Sequence, residues 1–522
     1  MQTIALKTPN GSKPVEATAE TMLLMREAVS LGRLFHEAGY ELALVGGAVR
    51  DLLRGSTPVD LDMASDAEPR ESEAILREWG ESCWDVGRKH GTVGASRTLA
   101  EGVVASIEVT TYQGDGHDPS SREPTAKHAG RLEEDLSLRD FTADAVAIRL
   151  PGLKVVDPFD GVKAIEDKTL TTPLGAAASF GADPLRMMRA CRLAASLGFR
   201  VDEETIAGMR HMAGKIRESS VEGVRDELCK TLLSDAPSVG LRLMLETGLM
   251  GYVLPEVEAL HKMDGSSRGL HKLTFEHTMM VLDRAVRFEK TYPDIGTPDL
   301  ALRLAALMHD VGKPATRRFH AGKQATAESS SIGEAWDGRF YTRKRVTFDG
   351  HESVGAALTR NRLEALRFDK KTIGDVSTLV AMHMRLHGYV TSPSSASSAS
   401  MWTDSAVRRY VREAGPLYSR LNALTRADVT TRRKAREQEH MRRVDAIEDR
   451  VAALEKQEDL DSIRPELDGV EIMRLLGLQQ GPLVGKAVKH MLEYRLEHGE
   501  VGREAAVVEL RKWAAANLPA SR

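Results

Sequence analysis

The sequence predicts an α+β unit at the N-terminus, built on a small mixed or antiparallel sheet with helices, followed by a mostly α-helical remainder. Short segments with alternating apolar residues or many β-branched residues occur before about residue 172. Beyond residue 183 such strand patterns almost vanish, and apolar residues recur at helical spacing. Aromatic residues make up only 5% of the chain, whereas Ala, Leu, Arg and Glu are abundant, which also favours helices.

The predicted elements of the N-terminal unit begin after a polar arm at residues 1–19. An amphipathic helix over residues 22–35 leads into an apolar strand, Leu42–Val45. A helix at residues 71–79 and strands at 92–95, 103–111 and 146–150 follow.

The remainder of the chain is predicted as helices separated by a few linkers. Asp183 and Pro184 form a helix start, with Asp as the N-cap and Pro in the first turn. Residues 265–269 and the Ser-rich run 391–400 are the most linker-like stretches. A charged helical segment then covers about residues 405–457, and a final apolar helical module begins near residue 467.

Composition limits the classes of protein that the chain can represent. At 522 residues it is too long for one core, and we expect three or four domains. The net charge of -4 gives no global signature of nucleic-acid binding, so any RNA site must be local. The three cysteines form no C-x-x-C pair, which argues against a disulfide framework or a cysteine zinc site. With no apolar run of membrane-spanning length and no signal-peptide pattern, we expect a cytoplasmic protein.

The most informative motif is a diglycine followed by two closely spaced carboxylates. Gly46-Gly47 ends the strand Leu42–Val45, and Asp60 and Asp62 follow with one residue between them. Carboxylates at i and i+2 on a strand project from the same face, as is needed to hold paired Mg²⁺ ions. The diglycine lets the backbone approach a triphosphate, and Arg50 offers paired donors to a phosphate. The combination resembles a nucleotidyltransferase active site.

Further charged residues extend this candidate site. Glu108, in the predicted strand 103–111, is the candidate third carboxylate, although an outward-facing strand glutamate is an equally good interpretation. Arg139 is suited to a triphosphate or a base.

An arginine-rich helix is predicted to read the base. Arg186, Arg189 and Arg192 recur every third residue after Asp183, although such a stripe can also be a solvated, ion-paired face. Cytosine and adenine share an amine beside an unprotonated ring nitrogen. One carboxylate acceptor and one guanidinium donor, here Asp183 and Arg186, could therefore accept both bases and reject uracil and guanine.

These motifs resemble those of the class II CCA-adding tRNA nucleotidyltransferases and bacterial poly(A) polymerases, most closely the actinobacterial type with an appended HD domain. The resemblance covers about residues 42–513 and implies a polymerase-beta-like head followed by helical neck, body and tail domains. It also implies nucleotide binding by Gly47, Arg50, Arg139 and the Asp183 helix with Arg186, Arg189 and Arg192, and Mg²⁺ binding by Asp60 and Asp62. Three positions depart from the family pattern: Leu138 replaces arginine, Asp144 replaces asparagine and Ala182 replaces glutamate.

A second set of residues resembles the ordered H…HD…D pattern of HD-type metal-dependent phosphohydrolases. Its members, in chain order, are His277, His309, Asp310 and Asp428. Adjacent His and Asp at a helix end can share one metal, and distant helices add further ligands. His351 and His383 are candidates for a second metal, so we expect a divalent transition metal here.

The patterns together predict five segments and an RNA partner. The segments are a polar arm (1–19), a nucleotidyltransferase head (20–172), a helical neck and RNA-binding region (173–262), an HD domain (263–430), and a charged helix with a helical tail (431–522). Arginines and lysines between about residues 408 and 443 are predicted to follow a tRNA backbone, although interspersed glutamates make a solvated, ion-paired helix equally consistent.

The leading hypothesis is a CCA tRNA nucleotidyltransferase that uses CTP and ATP for untemplated addition or repair of the tRNA 3′ end, with pyrophosphate release. The same hypothesis includes an accessory phosphohydrolase activity of the HD domain. The alternatives within the family are a poly(A) polymerase and a CC-only or A-only adding enzyme. From other classes, the alternatives are an HD phosphohydrolase with a nucleotide-sensing head and a non-catalytic RNA-binding protein, against which the intact carboxylates argue.

Overall fold

A computed structural model describes residues 2–8, 11–58, 60–87, 91–114, 130–265, 274–320, 345–386, 403–430, 434–456 and 463–518. The chain divides into two compact units, Met1–Val253 and Leu254–Arg522. Apart from Gly265, the two predicted linkers at residues 265–269 and 391–400 lie outside the described residues. Among the described helices, none has the length and apolar character needed to span a membrane.

The first unit is built on a nine-stranded mixed sheet. Its strands are β1 (Gln2–Thr8), β2 (Gly11–Ala17), β3 (Leu42–Val45), β4 (Leu61–Ser65), β5 (Ser82–Gly87), β6 (Thr92–Thr98), β7 (Val104–Thr111), β8 (Ala147–Leu150) and β9 (Lys154–Val156), and β10 (Thr169–Leu170) pairs separately with β11 (Arg200–Val201). The order across the sheet is β2-β1-β9-β8-β3-β4-β7-β6-β5. Among the described strands of this nine-stranded sheet, only the β1–β9 and β4–β7 neighbours are parallel, so the predicted α+β class with a mixed, largely antiparallel sheet is confirmed.

Helices flank the sheet, and the part of the first unit that follows the sheet is mostly helical. They are α1 (Ala19–Glu37), α2 (Gly47–Leu53), α3 (Pro69–Trp79), α4 (Leu132–Ser137), α5 (Gly161–Glu166), α6 (Ala176–Ala182), α7 (Arg186–Leu197), α8 (Glu203–Met212), α9 (Val221–Leu232), α10 (Pro237–Glu246) and α11 (Met250–Val253). The arginine-bearing helix α7 packs against α9 and α10. The near-complete change from strands to helices at about residue 172 therefore agrees with the sequence pattern.

The elements around the diglycine form for simple reasons. All four residues of β3 are buried, as expected for a continuous apolar run at the centre of a sheet. Buried and partly exposed residues alternate along β7, so one of its faces packs and the other remains accessible. Helix α1 begins after Thr18, whose hydroxyl accepts a hydrogen bond from the Thr21 amide.

The N-terminal segment, for which the sequence analysis predicts only a polar arm, contains a hairpin that extends the sheet. Strand β1 pairs with β2 over its full length and joins the sheet through β9. Ile4, Leu6, Val15 and Ala17 are buried, and they alternate with exposed residues. This period of two is a strand signal. The many polar residues at the alternate, exposed positions nevertheless give the segment the composition of a solvated arm.

The second unit is almost entirely helical. Its helices are α12 (Pro255–Gly265), α13 (Thr274–Phe288), α14 (Leu300–Met308), α15 (Lys313–Thr316), α16 (His351–Ala365), α17 (Lys370–Met382), α18 (Asp404–Ala414), α19 (Tyr418–Asp428), α20 (Lys434–Glu455), α21 (Gly469–Leu476), α22 (Pro482–His498) and α23 (Arg503–Asn517). Strands β12 (Arg318–His320) and β13 (Arg345–Thr347) form a short antiparallel pair. Helix α13 packs against α14 and α19, and α14 packs against α17, which brings the ends of these helices together.

The C-terminal helices have a small core of their own. Leu467, Ile472, Ala487, Met491 and Leu510 form a buried apolar cluster. The apolar helical module predicted to begin near residue 467 is therefore a packed structure in which α22 contacts both α21 and α23.

Candidate active site and metal centre

Three carboxylates meet at the centre of the nine-stranded sheet. Asp60 lies one residue before β4, Asp62 lies on β4, and Glu108 lies on β7. Because β4 and β7 are parallel neighbours with Asp62 directly opposite Glu108, both side chains project from the same face of the sheet. Only Asp62 of the predicted pair is on the strand itself, since the chain bends at Asp60 before pairing begins.

The electrostatics of this cluster favour a cation. Burial raises the pKa of Asp62, Asp60 raises it further, and Arg139 partly opposes the shift. Burial also raises the pKa of Glu108, and Asp62 and then Asp60 add to the effect. Carboxylates that resist ionisation because like charges are close are stabilised by a bound positive charge. Oxygen ligands of this kind suit a hard divalent cation.

A pocket of about 520 Å³ opens beside Asp62. Its lining contains six of the predicted site residues, namely Gly47, Arg50, Asp62, Arg139, Arg189 and Arg192. Asp60, Glu108, Asp183 and Arg186 are not among the lining residues. The volume lies in the range of small-molecule sites, and the arginines make the pocket suitable for an anionic ligand.

The diglycine shapes one wall of this pocket. Gly46 has a φ of +67°, a conformation that side-chain-bearing residues rarely adopt, so it permits the sharp turn from β3 into α2. A Cβ atom at Gly47 would lie 3.3 Å from the Arg50 guanidinium. This wall of the pocket is therefore formed by backbone atoms close to the Arg50 guanidinium.

Arg50 is held by two carboxylates. Its Nε donates to Asp51 Oδ1 at 3.0 Å, and its Nη1 donates to Asp144 Oδ1 at 2.6 Å. Burial acts to lower the pKa of Arg50, but Asp144 and Asp51 raise it overall. Asp144, the residue that replaces the family's asparagine, is thus an ion-pair partner of a predicted nucleotide-binding residue.

Arg139 is oriented by a buried acid. Its Nη2 donates to Asp135 Oδ2 at 2.8 Å, and the other oxygen of Asp135 accepts from the Gln113 amide. The Asp135 side chain is only 5% exposed, so it fixes the guanidinium at the pocket wall. Sequence reasoning missed Asp135, although its i, i+4 spacing from Arg139 was a readable signal.

Asp140 joins the head to the arginine helix. Arg186 Nε lies 2.8 Å from Asp140 Oδ1, and Arg189 Nη1 lies 2.7 Å from Asp140 Oδ2. Arg189 also lies 3.3 Å from Asp183, and these contacts raise its pKa although burial acts to lower it. Two of the three arginines thus converge on one carboxylate, which the sequence analysis did not single out.

The start of the arginine helix differs from the prediction. Helix α7 begins at Arg186, because Pro184 and Leu185 form a turn before it. Asp183 is not the N-cap of the helix, but its Oδ1 accepts a hydrogen bond from the Leu185 amide at 2.9 Å. The third arginine, Arg192, donates to Glu227 of α9 at 2.7 Å, and Arg189 Nε lies 4.0 Å from the other oxygen of Glu227.

The second unit brings all six HD residues together. His277 Nε2 lies 3.0 Å from Asp428 Oδ1, and His309 Nε2 lies 3.2 Å from Asp310 Oδ2. His351 Nε2 lies 3.2 Å from His383 Nε2 and 3.5 Å from Asp310 Oδ1. The residues form two groups of potential metal ligands that share Asp310: one is His277, His309 and Asp310, and the other is Asp310, His351 and His383.

Three of the four imidazoles are oriented by contacts of their Nδ1 atoms with backbone oxygens. The Nδ1 atoms of His309, His351 and His383 lie 2.6–2.9 Å from the backbone oxygens of Ala306, Phe348 and Val380. A backbone oxygen can only accept, so each Nδ1 carries a proton, and in the neutral ring the Nε2 atom then presents a lone pair to the centre. This is the arrangement by which histidine ligands are fixed around metals.

Burial keeps part of the cluster neutral. It lowers the pKa of His383 to about 3, and it lowers the pKa of His351 as well. Although burial acts to raise the pKa of Asp310, the neighbouring His309 and Lys313 hold it well below its usual value. Neutral imidazoles beside an ionised carboxylate are the protonation states that a divalent metal requires.

Comparisons with known families agree with this arrangement. The family described as "Poly A polymerase head domain" matches residues 42–171. "Probable RNA and SrmB- binding site of polymerase A" matches residues 198–260, and "HD domain" matches residues 274–433. The fold and the site thus define an enzyme of the nucleotidyltransferase class with an HD domain.

Similarity to curated proteins extends along nearly the whole chain. A "CC-adding tRNA nucleotidyltransferase" of Thermus thermophilus is 33% identical, over 90% of this chain and 93% of the relative. An "A-adding tRNA nucleotidyltransferase" of Deinococcus radiodurans is 32% identical, over 90% and 95% respectively. A "CCA-adding enzyme" of Geobacillus kaustophilus is 39% identical over 44% of this chain and 54% of its own length. The chain belongs to the tRNA nucleotidyltransferase family.

Solved structures share the fold. The Bacillus stearothermophilus CCA-adding enzyme in complex with CTP matches with a TM-score of 0.59 and 22% identity, covering 94% of this chain and 98% of that one. The Thermotoga maritima CCA-adding enzyme complexed with tRNA matches with a TM-score of 0.55 and 16% identity, covering 95% and 96%.

Proposed function

We propose that this protein adds or repairs the 3′-terminal CCA of tRNA, using CTP and ATP without a nucleic-acid template. The observation that carries the proposal is the cluster of Asp62 and Glu108 on paired strands, with Asp60 beside it, at the edge of an arginine-lined pocket. The membership of the chain in the tRNA nucleotidyltransferase family supports the choice of acceptor.

Asp60, Asp62 and Glu108 would hold Mg²⁺, and their oxygen donors and raised pKa values at Asp62 and Glu108 fit that ion. Bound Mg²⁺ would activate the RNA 3′-hydroxyl and neutralise the leaving pyrophosphate. Arg139 would bind the triphosphate beside the Gly46–Gly47 turn, since all three residues line the pocket. Arg50 would assist through whichever donors its two carboxylate partners leave accessible.

Selection of the base is assigned to the start of helix α7. Asp183 and Arg186 supply the acceptor and the donor that cytosine and adenine share. Arg189 lines the pocket and lies 3.3 Å from Asp183, so it links these residues to the nucleotide site. Asp140, which contacts both Arg186 and Arg189, would set the orientation of the two guanidinium groups.

A second candidate within the family is addition of only part of the CCA end. It is favoured by one observation, since the two relatives that match along 90% of the chain are described as CC-adding and A-adding enzymes. The CCA-adding relative given above matches at higher identity but over only 44% of this chain.

One experiment separates these candidates. Purified protein is incubated with tRNA lacking the terminal trinucleotide, and separately with tRNA ending in CC, in CTP alone, ATP alone or both, and the product lengths are read. CCA addition predicts two C residues and then one A. Failure to incorporate C would overturn it in favour of A addition, whereas long A tracts would indicate a poly(A) polymerase.

For the second unit we propose a divalent transition-metal centre with phosphohydrolase chemistry on a phosphomonoester or phosphodiester, such as a 2′,3′-cyclic phosphate at a tRNA end. Four imidazoles and two carboxylates suit such a metal. If phosphohydrolysis at this centre were the main activity and the head were only a nucleotide sensor, the Asp60→Ala, Asp62→Ala double variant would keep its phosphohydrolase activity. CCA addition instead predicts loss of nucleotide incorporation. We also propose that the protein is located in the cytoplasm.

A further inference from the structure

Four residues form a row across the sheet, and two of them are proposed catalytic carboxylates. Asp62 on β4 is paired with Glu108 on β7, Glu108 with Gly94 on β6, and Gly94 with Trp84 on β5. Residues directly opposite one another on neighbouring strands project from the same face. Trp84 therefore lies on the face that carries the carboxylates.

The indole of Trp84 leans over Gly94 toward Glu108. A Cβ atom at Gly94 would lie 2.4 Å from Trp84 Nε1 and 2.5 Å from Cε2, so only glycine leaves room for the ring. The backbones of Trp84 and Glu108 are two strand spacings apart, or roughly 10 Å. The lean of the ring over the intervening strand shortens that gap, and 37% of the tryptophan surface remains exposed.

The direction of the reaction indicates what would contact this ring. In phosphoryl transfer the attacking and leaving oxygens lie in line on opposite sides of the phosphorus. The Gly46–Gly47 turn follows β3, on one side of β4, and it lines the pocket with Arg139 and Arg189. Strands β7, β6 and β5 lie on the other side of β4, where Thr110 of β7 and Gln113 also line the pocket but no described residue of β6 or β5 does. With the triphosphate in the pocket, the attacking hydroxyl approaches from the side of Trp84.

From this arrangement we infer that Trp84 stacks on the 3′-terminal nucleoside of the acceptor RNA and holds its hydroxyl beside the carboxylates. The inference rests on the proposed function. Stacking on an aromatic ring accepts any base, as an acceptor end that changes after each addition requires. Gly94 serves this role indirectly, because its lack of a side chain leaves room for the ring over β6.

The test compares Trp84→Leu and Trp84→Phe with wild type on a short acceptor-stem RNA, where stacking is a large share of the affinity. Leucine should raise KM for the RNA by at least about 5-fold, and phenylalanine by less, while KM for CTP stays unchanged. Binding of the RNA should also quench a fluorescence component that wild type has and Trp84→Phe lacks. Gly94→Ala, which displaces the ring, should resemble Trp84→Leu.

Val104→Ala is the matched control, because Val104 is an exposed apolar residue on the same sheet, and thermal unfolding checks that each variant folds. An unchanged KM for the RNA in Trp84→Leu overturns the inference, as does a rise in KM for CTP instead. If wild type itself incorporates no nucleotide, the proposed function fails, which is a different result.

Discussion

The guanidinium of Arg50 and the carboxylate of Asp144 form a direct ion pair, with Nη1 2.6 Å from Oδ1. The two residues are 94 positions apart in the chain, and both line the pocket. Burial raises the pKa of Asp144, and Arg50 opposes that shift, so each charge stabilises the other. Asp144, which the resemblance marks as a departure from the family pattern, therefore lies in the predicted nucleotide site.

Replacing Asp144 by asparagine should strengthen nucleotide binding. Asparagine keeps a hydrogen-bond acceptor for Arg50 but removes a negative charge that opposes the triphosphate. We expect KM for CTP to fall by about 5-fold, on the order of 1 kcal/mol. Asp144→Ala should instead destabilise the head by about 3 kcal/mol, because a largely buried guanidinium loses a partner. Steady-state kinetics and urea unfolding measure the two effects, and an unchanged or higher KM in Asp144→Asn would contradict the first.

Base selection should depend on Asp183. Asp183→Asn replaces a pure acceptor by a group that also donates, so incorporation of UTP or GTP relative to CTP should rise by about 10-fold or more. Competition assays with mixed nucleotides measure the ratio. Asp202→Asn is the control, because Asp202 also accepts a backbone hydrogen bond at a helix start, whereas Asp183 lies 3.3 Å from the pocket residue Arg189. Selection that is as strict in Asp183→Asn as in the control would count against base reading by this residue.

The stability of the metal-free protein should depend on pH through His383. Its pKa is about 3 when folded, against an ordinary value of 6.5. The unfolded chain therefore binds more protons between these values, and this contribution to stability is present above pH 6.5 and is lost as the pH falls. Between pH 7 and 5 the loss should be about 2 kcal/mol.

His383→Asn should remove this part of the pH dependence, as measured by urea unfolding with chelator present. His309 contributes with the opposite sign, since Asp310 raises its pKa overall although burial acts to lower it. The difference between wild type and variant gives the contribution of His383 together with its coupling to His309, which lowers the pKa of His383. His211→Asn, at an exposed histidine, is the control and should leave the pH profile as it is. Parallel profiles for wild type and His383→Asn would refute the assignment.

Metal binding in the second unit should be separable from nucleotide addition. Asp310 belongs to both groups of potential ligands, so Asp310→Asn should weaken transition-metal binding by at least about 100-fold. Metal content after dialysis against Mn²⁺ measures this, with the exposed Asp349→Asn as control. With Mg²⁺ present, the two variants should incorporate C equally well. Full metal content in Asp310→Asn would exclude this aspartate as a shared ligand.

Features set by short stretches of sequence were predictable. The diglycine turn, the alternation along β7 and the apolar helix before His309 depend on neighbours within one or two turns or strands, so their patterns are visible in the chain. The start of α7 was misplaced by two residues, because a proline after an aspartate fits both a helix start and the turn that precedes it.

Partners distant in sequence could not be predicted from pattern alone. Asp140 contacts arginines more than 40 residues away, and Glu227 reaches Arg192 from a different helix. Nothing local distinguishes such acids from solvated ones, because only the packing of α7 against α9 and its approach to Asp140 brings the charges together. The row from Asp62 to Trp84 depends in the same way on strand register.

The N-terminal hairpin also determines what the sheet can attach to. Strand β2 is the last strand on one side, and in a strand at that position unpaired backbone groups can recruit a second chain. Pro14 removes one amide donor from β2, and Lys13 forms an ion pair with Glu166 at 2.5 Å. This border of the sheet is therefore protected against edge-to-edge self-association, and deleting residues 1–17 should make the protein more prone to aggregate.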